Sequence, residues 1–321
     1  MRAAPGSPGA EGVVRVSDDV AAIVTAYGPG GGLLELVESL LPQVARVVVV
    51  DDGSDPRFDP VLDAARRSGA LVVRHSSNQG IAAALNTGVR AAEADAVTAP
   101  TFVLTLDQDS EVSPDFVSCL VGTAREAAEA GITVGMVAPA HVEGQPSPVA
   151  GAVRGFLLGR APIQSGMLIP LDTLRRVGGF AEQLFIDGVD TDFALRVDRA
   201  GLRIVLSPAV RLGHSLGRRH TPRLLGVPVR LGGAPLELTH SAPFRYYYIV
   251  RNRVLLNRMH GRRHRAWSVR ETLADARHLL VVQLLVPGRV PRARAALAGV
   301  RDGWAGRSGP MPERLRAALD R

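Results

Sequence analysis

Two aspartates one residue apart, Asp107-Gln108-Asp109, directly follow the apolar run Phe102 to Leu106. Carboxylates so spaced, where a strand opens into a loop, can share one hard divalent cation, and that cation can hold a diphosphate. The same tripeptide also suits a plain loop turn or helix cap, with Ser110 and Ser113 as competing cap residues. Asp51-Asp52-Gly53-Ser54 follows a second run, Arg46 to Val50. A carboxylate there can accept hydrogen bonds from a base or ribose, although the tetrapeptide is equally good turn chemistry. Asn78-Gln79-Gly80 leads into an Ala-rich stretch ending at Ala92, and the N-terminus of such a helix could face an anion. Asp190 and Asp192 stand at the start of another predicted helix, where the dipole favours a carboxylate. Asp192 has Arg196 four residues on as a partner, which leaves Asp190 as a candidate base or simply as the helix cap. His214, in a loop beside Ser215 and Gly217, is either structural or a ligand.

The elements that must position these groups are legible as apolar runs. Val20 to Thr25 ends in Tyr27-Gly28-Pro29-Gly30 and is followed by an amphipathic stretch, Leu33 to Leu41. With Arg46 to Val50, Ala70 to Val73 and Phe102 to Leu106, four short runs alternate with helical segments and end in polar or Gly-bearing loops. That alternation predicts an α/β fold with a mostly parallel, Rossmann-like sheet flanked by helices. Loops at the carboxyl ends of such strands are where ligands bind. Beyond residue 140 the pattern changes. Leu171 to Val177 reads as a helix stopped by Gly178-Gly179, and Thr191 to Ala200 as another with Gly201 after it. From Tyr246 onward the text is helical and Arg-rich. The expected division is a disordered leader over 1–16, a catalytic domain over 17–240 and a basic helical extension over 241–321.

Composition narrows the function. The chain has 321 residues, 46% of them hydrophobic, enough for one large α/β domain with additions. A single cysteine, Cys119, excludes an internal disulfide framework and a cysteine-rich metal site, and points to a reducing compartment. The net charge is +7, yet Ser241 to Arg294 holds 12 Arg against Glu271 and Asp275, so this stretch is +10 and the remainder −3. Such a segment could face anionic lipid, a polyanionic acceptor or nucleic acid, or be merely solvated. The run Leu279 to Val286, interrupted by Gln283, is far shorter than the roughly 20 residues of a bilayer span. A dinucleotide fingerprint would need glycine at 28, 30 and 33, but residue 33 is Leu; a GxxxxGK[ST] phosphate loop is impossible in a chain with no Lys. What remains is a nucleoside diphosphate held by a metal.

At this point the residues resemble a known family. The chain is similar to the inverting family 2 glycosyltransferases of GT-A fold, and in particular to bacterial rhamnosyltransferases that use dTDP-L-rhamnose. The likeness runs from about Val20 to Leu256. It rests on Val49 to Ser54, Asn78 to Gly88, Leu106 to Ser110, Ser165-Gly166, Phe185 to Phe193, His214 to Gly217 and Tyr247 to Asn252. The resemblance implies that Asp190 is the catalytic base and that Thr25, Tyr27, Asp52, Asn78, Gly80, Asn86, Asp107, Ser165 and Gly166 bind the nucleotide sugar. It further implies that Asp107, Asp109 and His214 hold a divalent metal, Mg²⁺ or Mn²⁺. The implied acceptor is a cell-envelope glycan or lipid-linked sugar. The expected location is cytoplasmic, with no nucleic-acid partner; the twelve Arg beside the apolar run Leu279 to Val286 suggest peripheral contact at the inner face of the membrane through the basic segment. Val189 replaces the Glu that many members carry before the base. Competing readings are a UDP-sugar donor (galactofuranose or N-acetylglucosamine) on the same fold, a non-catalytic nucleotide-sugar module, and an aspartyl phosphotransferase. Glu111 stands where the last of these usually has Thr or Val.

Overall fold

The computed structural model describes residues 17–94, 99–213, 218–224, 227–228 and 230–319. The expected leader over 1–16 and the expected ligand His214 lie outside the described residues. Four strands match the four apolar runs: β1 (Ser17–Ala26), β2 (Val44–Asp51), β3 (Leu71–Arg74) and β4 (Phe102–Asp107). Val47 to Val50 are all buried, as a strand covered by helices on both faces requires. Six further strands complete the sheet: β5 (Val134–Val142), β6 (Gln145–Pro146), β7 (Val149–Val153), β8 (Phe156–Gly159), β9 (Met167–Pro170) and β10 (Arg203–Leu212). Their order is β3-β2-β1-β4-β9-β5-β10-β8-β7, with β6 paired to β5. Neighbours from β3 to β4 run parallel, as do β5 and β10, whereas β9 is antiparallel to β4 and β5. The fold is therefore the expected mixed, mostly parallel sheet. The reversal of β9 carries a consequence, because the loop that enters β9 lies at the rim where β4 ends.

Helices α1 (Gly32–Leu40), α2 (Asp59–Ser68) and α4 (Phe116–Glu129) cover one face of the sheet. In α1, Leu33, Leu36, Val37 and Leu40 are buried at the spacing of an amphipathic helix. The other face takes α3 (Ile81–Ala94), α5 (Leu171–Val177) and α6 (Val189–Arg199). Gly88 lets α3 lie close to β1, since a methyl group there would collide with the Ile23 side chain. The basic segment forms α7 (Arg245–His260), α8 (Arg265–Leu285), α9 (Arg289–Trp304) and α10 (Glu313–Leu319) around a cluster holding Tyr246, Tyr247, Tyr248 and Val282. Among the described residues no helix is long and apolar enough to cross a membrane. Leu256 of α7 packs into the core cluster under α6, so the basic helices share a core with the sheet.

Candidate active site

The parallel strands end level with one another. Thr25 pairs with both Val50 and Asp107 across the sheet, and Ala26 with Asp51. This register gathers the loops after β1, β2 and β4 on one rim, over a cavity of about 680 Å³. Thr25, Tyr27, Asp52, Asn78, Gly80, Asp107, Asp109 and Asp190 all line it, as expected from the sequence. A second cleft of about 700 Å³ meets the first at Asp109 and is bordered by Glu35 and Glu111.

Thr25 Oγ1 donates to Asp107 Oδ1 at 3.3 Å, which orients one carboxylate of the pair. Tyr27, 59% exposed, stands at the rim and is fixed through its backbone: its N–H donates to Gln108 Oε1 at 2.8 Å. Asp52 behaves differently from a free base-binding group. Its Oδ1 accepts from His75 Nδ1 and from the Gln79 N–H, and its Oδ2 from the Gly80 N–H, each at 2.8 Å. Asp52 thus shapes the Asn78–Gly80 loop while still touching the cavity. Gly80 has φ +94°, and a Cβ there would sit 2.5 Å from the Phe185 carbonyl oxygen. Only glycine lets this loop meet the Phe185 segment that leads to Asp190.

Three residues expected as ligands, Asn86, Ser165 and Gly166, are not among those that line the cavity. Asn86 does not line the cavity; its amide donates to the Phe180 carbonyl and Glu182 and accepts from the Phe180 N–H, clasping α3 to the chain before α6. Ser165 lies behind the acid loop, where its Oγ accepts from the Asp107 N–H at 3.2 Å and meets Ser110 Oγ at 2.6 Å. Gly166 donates its N–H to the Thr105 carbonyl at 2.7 Å and packs against Pro139. The Asn86 amide, Ser165 Oγ and Gly166 N–H are thus all hydrogen-bonded within the protein.

Asp190 lies in the first turn of α6, whose N-cap is Gly188. The reading of Asp190 as helix cap is therefore set aside. Its Oδ1 accepts from the Thr191 N–H at 2.7 Å. Burial raises its carboxyl above the usual range and the charge of Asp187 adds to this, against the opposing Thr191 hydrogen bond. Asp192 is fully buried and bound to Arg196 at 2.7 Å and His260 at 2.8 Å. Burial pushes its carboxyl up, but the His260 hydrogen bond and Arg196 outweigh that and hold it low. Asp192 is thus a structural anion, the role its i+4 arginine suggested.

The sequence alone assigned no role to three residues. Gln164, 6% exposed, lines the cavity, and neither its Oε1 nor its Nε2 has a hydrogen-bond partner. Its one sequence signal was its place in the polar loop before β9. Arg245, at the start of α7, also lines the cavity and pairs with Asp187. Burial works against its charge, but Asp187, and then Asp107 and Asp190, raise its pKa above the ordinary arginine value. No local pattern separates this arginine from the others in the basic segment. Asn252 Nδ2 donates to the carbonyls of Leu184, Ile186 and Asp187 at 2.9, 2.7 and 2.7 Å, pinning the loop that turns into α6. Phe185 and Asp187 in that loop hold positive φ, 64° and 67°, a conformation that needs such support.

Asp107 and Asp109 offer hard oxygen donors that fit a divalent cation. Among the described residues no group of three or more His, Cys, Asp or Glu joins them. A cation there would complete its shell with diphosphate oxygens and water, as Mg²⁺ commonly does. Gly213, the residue before His214, exchanges two backbone hydrogen bonds with Glu111, two residues past Asp109.

A mixed, mostly parallel sheet flanked by helices, with these loops gathered over the carboxyl ends of its parallel strands, defines the class: an α/β protein of GT-A fold. Residues 21–160 match the family described as Glycosyl transferase family 2. It is similar to the dTDP-rhamnosyl transferase RfbF of Shigella flexneri, 24% identical over 316 residues that cover 92% of this chain and 98% of that one. A pre-mycofactocin glycosyltransferase of Mycobacterium tuberculosis is 31% identical over 214 residues, 61% of this chain and 42% of its own length. Among solved structures, S. aureus TarS 1–349 in complex with UDP-GlcNAc shares the fold, with TM-score 0.53, 17% identity and coverage of 93% and 83%. The chain spans half of the longer TarS chain.

Proposed function

We propose that this chain is a family 2 glycosyltransferase that moves L-rhamnose from dTDP-L-rhamnose onto a hydroxyl of a cell-envelope glycan or lipid-linked sugar, with inversion. The observation that carries the reading is one cavity holding Asp107 and Asp109 together with Asp190, Arg245 and the unpartnered amide of Gln164. The likeness to RfbF along nearly the whole chain supports the rhamnosyl donor.

Asp107, Asp109 and His214 would hold a divalent metal, which when bound neutralises charge on the diphosphate. The protein's own groups do the rest. Asp190 removes the proton of the acceptor hydroxyl as its oxygen bonds to the anomeric carbon. The bond from that carbon to the diphosphate oxygen breaks, and the electron pair leaves with the nucleotide. Arg245, paired with Asp187 and within reach of the charge of Asp107 and Asp190, supplies fixed positive charge at the cavity, and Gln164 pairs with polar groups of the donor. The raised pKa of Asp190 suits a general base, because proton affinity rises with pKa.

The test is thermal stabilisation by a panel of nucleotide sugars with and without Mg²⁺, combined with turnover. dTDP-rhamnose is expected to raise Tm most, and Asp109→Ala or chelator to abolish both the metal-dependent part of that rise and turnover. Greater stabilisation by a UDP-sugar would overturn the donor; full activity in chelator would overturn the metal.

A further inference from the structure

The basic helices expose apolar side chains in an ordered way. On α8, Val269, Leu273, Leu280 and Leu284 are exposed, Leu273 at 65%. At 3.6 residues per turn they fall within about 60° of one another, a single stripe along the helix. Arg265 borders the stripe on one side and Arg277 on the other. The acids of α8 lie on the opposite side, where Asp275 pairs with Arg253 of α7 at 2.7 Å. On α9, Val290, Leu297, Val300 and Trp304 are exposed, Leu297 at 70% and Trp304 at 72%. They share an arc of about 80°, with Arg294 and Arg301 along one edge. The lone acid of α9, Asp302, is buried and accepts from the Tyr247 hydroxyl at 2.9 Å.

Val282 and Val286, from the run that the sequence pointed to as the membrane-facing stretch, are buried inside the helical cluster. Leu280 and Leu284 of the same run stay exposed and join Val269 and Leu273 in the stripe, which no acid interrupts. Large apolar side chains left in water normally mark a contact surface. Here the charged residues that edge the stripes are arginines, which selects a partner of negative charge with an apolar interior. Arginine stems can lie along the apolar zone while the guanidinium reaches phosphate.

We propose that the exposed stripes of α8 and α9 with their bordering arginines form a peripheral docking face for an anionic lipid bilayer. The apolar side chains enter the acyl boundary and the arginines pair with headgroup phosphates. The inference stands apart from the donor assignment, since none of these residues lines the cavity.

The test uses the full chain and vesicles of phosphatidylglycerol mixed with phosphatidylcholine, against vesicles of phosphatidylcholine alone. Two triple variants are compared: Leu273→Ser, Leu280→Ser, Leu297→Ser, and Arg265→Gln, Arg277→Gln, Arg294→Gln. The wild type is expected to sediment with the anionic vesicles only. The arginine variant should lose roughly a hundredfold in partitioning, from three charges near the surface, and the leucine variant should lose binding at any salt concentration. Wild-type protein that ignores anionic vesicles, or variants that bind like it, would overturn the proposal. So would a concentration-dependent dimer that the leucine variant abolishes, which would give this face to a second copy. Donor-induced stabilisation, measured in the same three proteins, should be equal; its absence in all three would count against the donor reading alone.

Discussion

Asp190 and Gln164 show how one cavity sets different demands on two side chains. Burial favours the protonated form of Asp190, so its folded pKa lies above its unfolded value. The linkage sign follows: the folded state binds the proton more tightly, so this group stabilises at low pH and its contribution is lost as pH rises through the raised pKa. Asp190→Asn is therefore expected to leave Tm at neutral pH equal or higher while turnover falls by about 10²–10⁴-fold, the usual worth of general-base catalysis. Wild-type turnover should rise with pH through that same ionisation, and the rise should vanish in the variant's residual activity. Gln164 carries the opposite signature of a binding residue. A buried amide with neither end paired costs stability that a ligand can recover. Gln164→Leu should keep or raise the Tm of the free protein and reduce dTDP-sugar affinity by at least about tenfold, measured by calorimetry. Unchanged affinity would return Gln164 to a packing role.

Helix α7 works on the site from outside it. Its Asn252 holds three successive-loop carbonyls, and Arg251, fully buried, donates to the Leu184 carbonyl at 2.9 Å. These bonds keep Phe185 and Asp187 at positive φ and so aim the start of α6 at the cavity. Asn252→Ala leaves three carbonyls without that donor, a loss of about 1–3 kcal/mol. The expected pattern is lower Tm by denaturation, kcat reduced more than donor affinity, and partial recovery in Asn252→Gln only where the longer amide still reaches the loop. A kcat unchanged alongside a lowered Tm would show that the clamp serves stability alone.

At the scale of the molecule, the sheet and the basic helices depend on each other. Leu256 fills the core beneath α6, His260 meets the buried Asp192, and Arg245 enters the cavity, all from α7. Removing α7 would leave Asp192 facing Arg196 alone and uncover Val189 and Leu184 in the core cluster. A chain ending at residue 240, the expected domain boundary, should therefore lose cooperative thermal unfolding and donor binding together. Circular dichroism melts and calorimetry would check this. A truncated chain that melts cooperatively and binds donor as tightly as the whole would establish two independent units.

The sequence by itself determined the parallel half of the sheet and the rim of the cavity. β-branched runs such as Val47 to Val50 can only be buried strands, and polar loops such as Asp107-Gln108-Asp109 must emerge where those strands end. Asp192 was also readable as structural, because Arg196 lies one helical turn away in the chain. The tertiary structure decided what depends on contacts distant in sequence. Asn86 reaches Phe180, 94 positions away, and so clasps α3 to the chain before α6. Ser165 backs Asp107, 58 positions away, through β9, an antiparallel strand too short to announce its direction. Gln164, Arg245 and Asn252 carry no local period or spacing that marks them. Their roles come from which polar atoms were left unpaired, or were spent, once the chain had closed on itself.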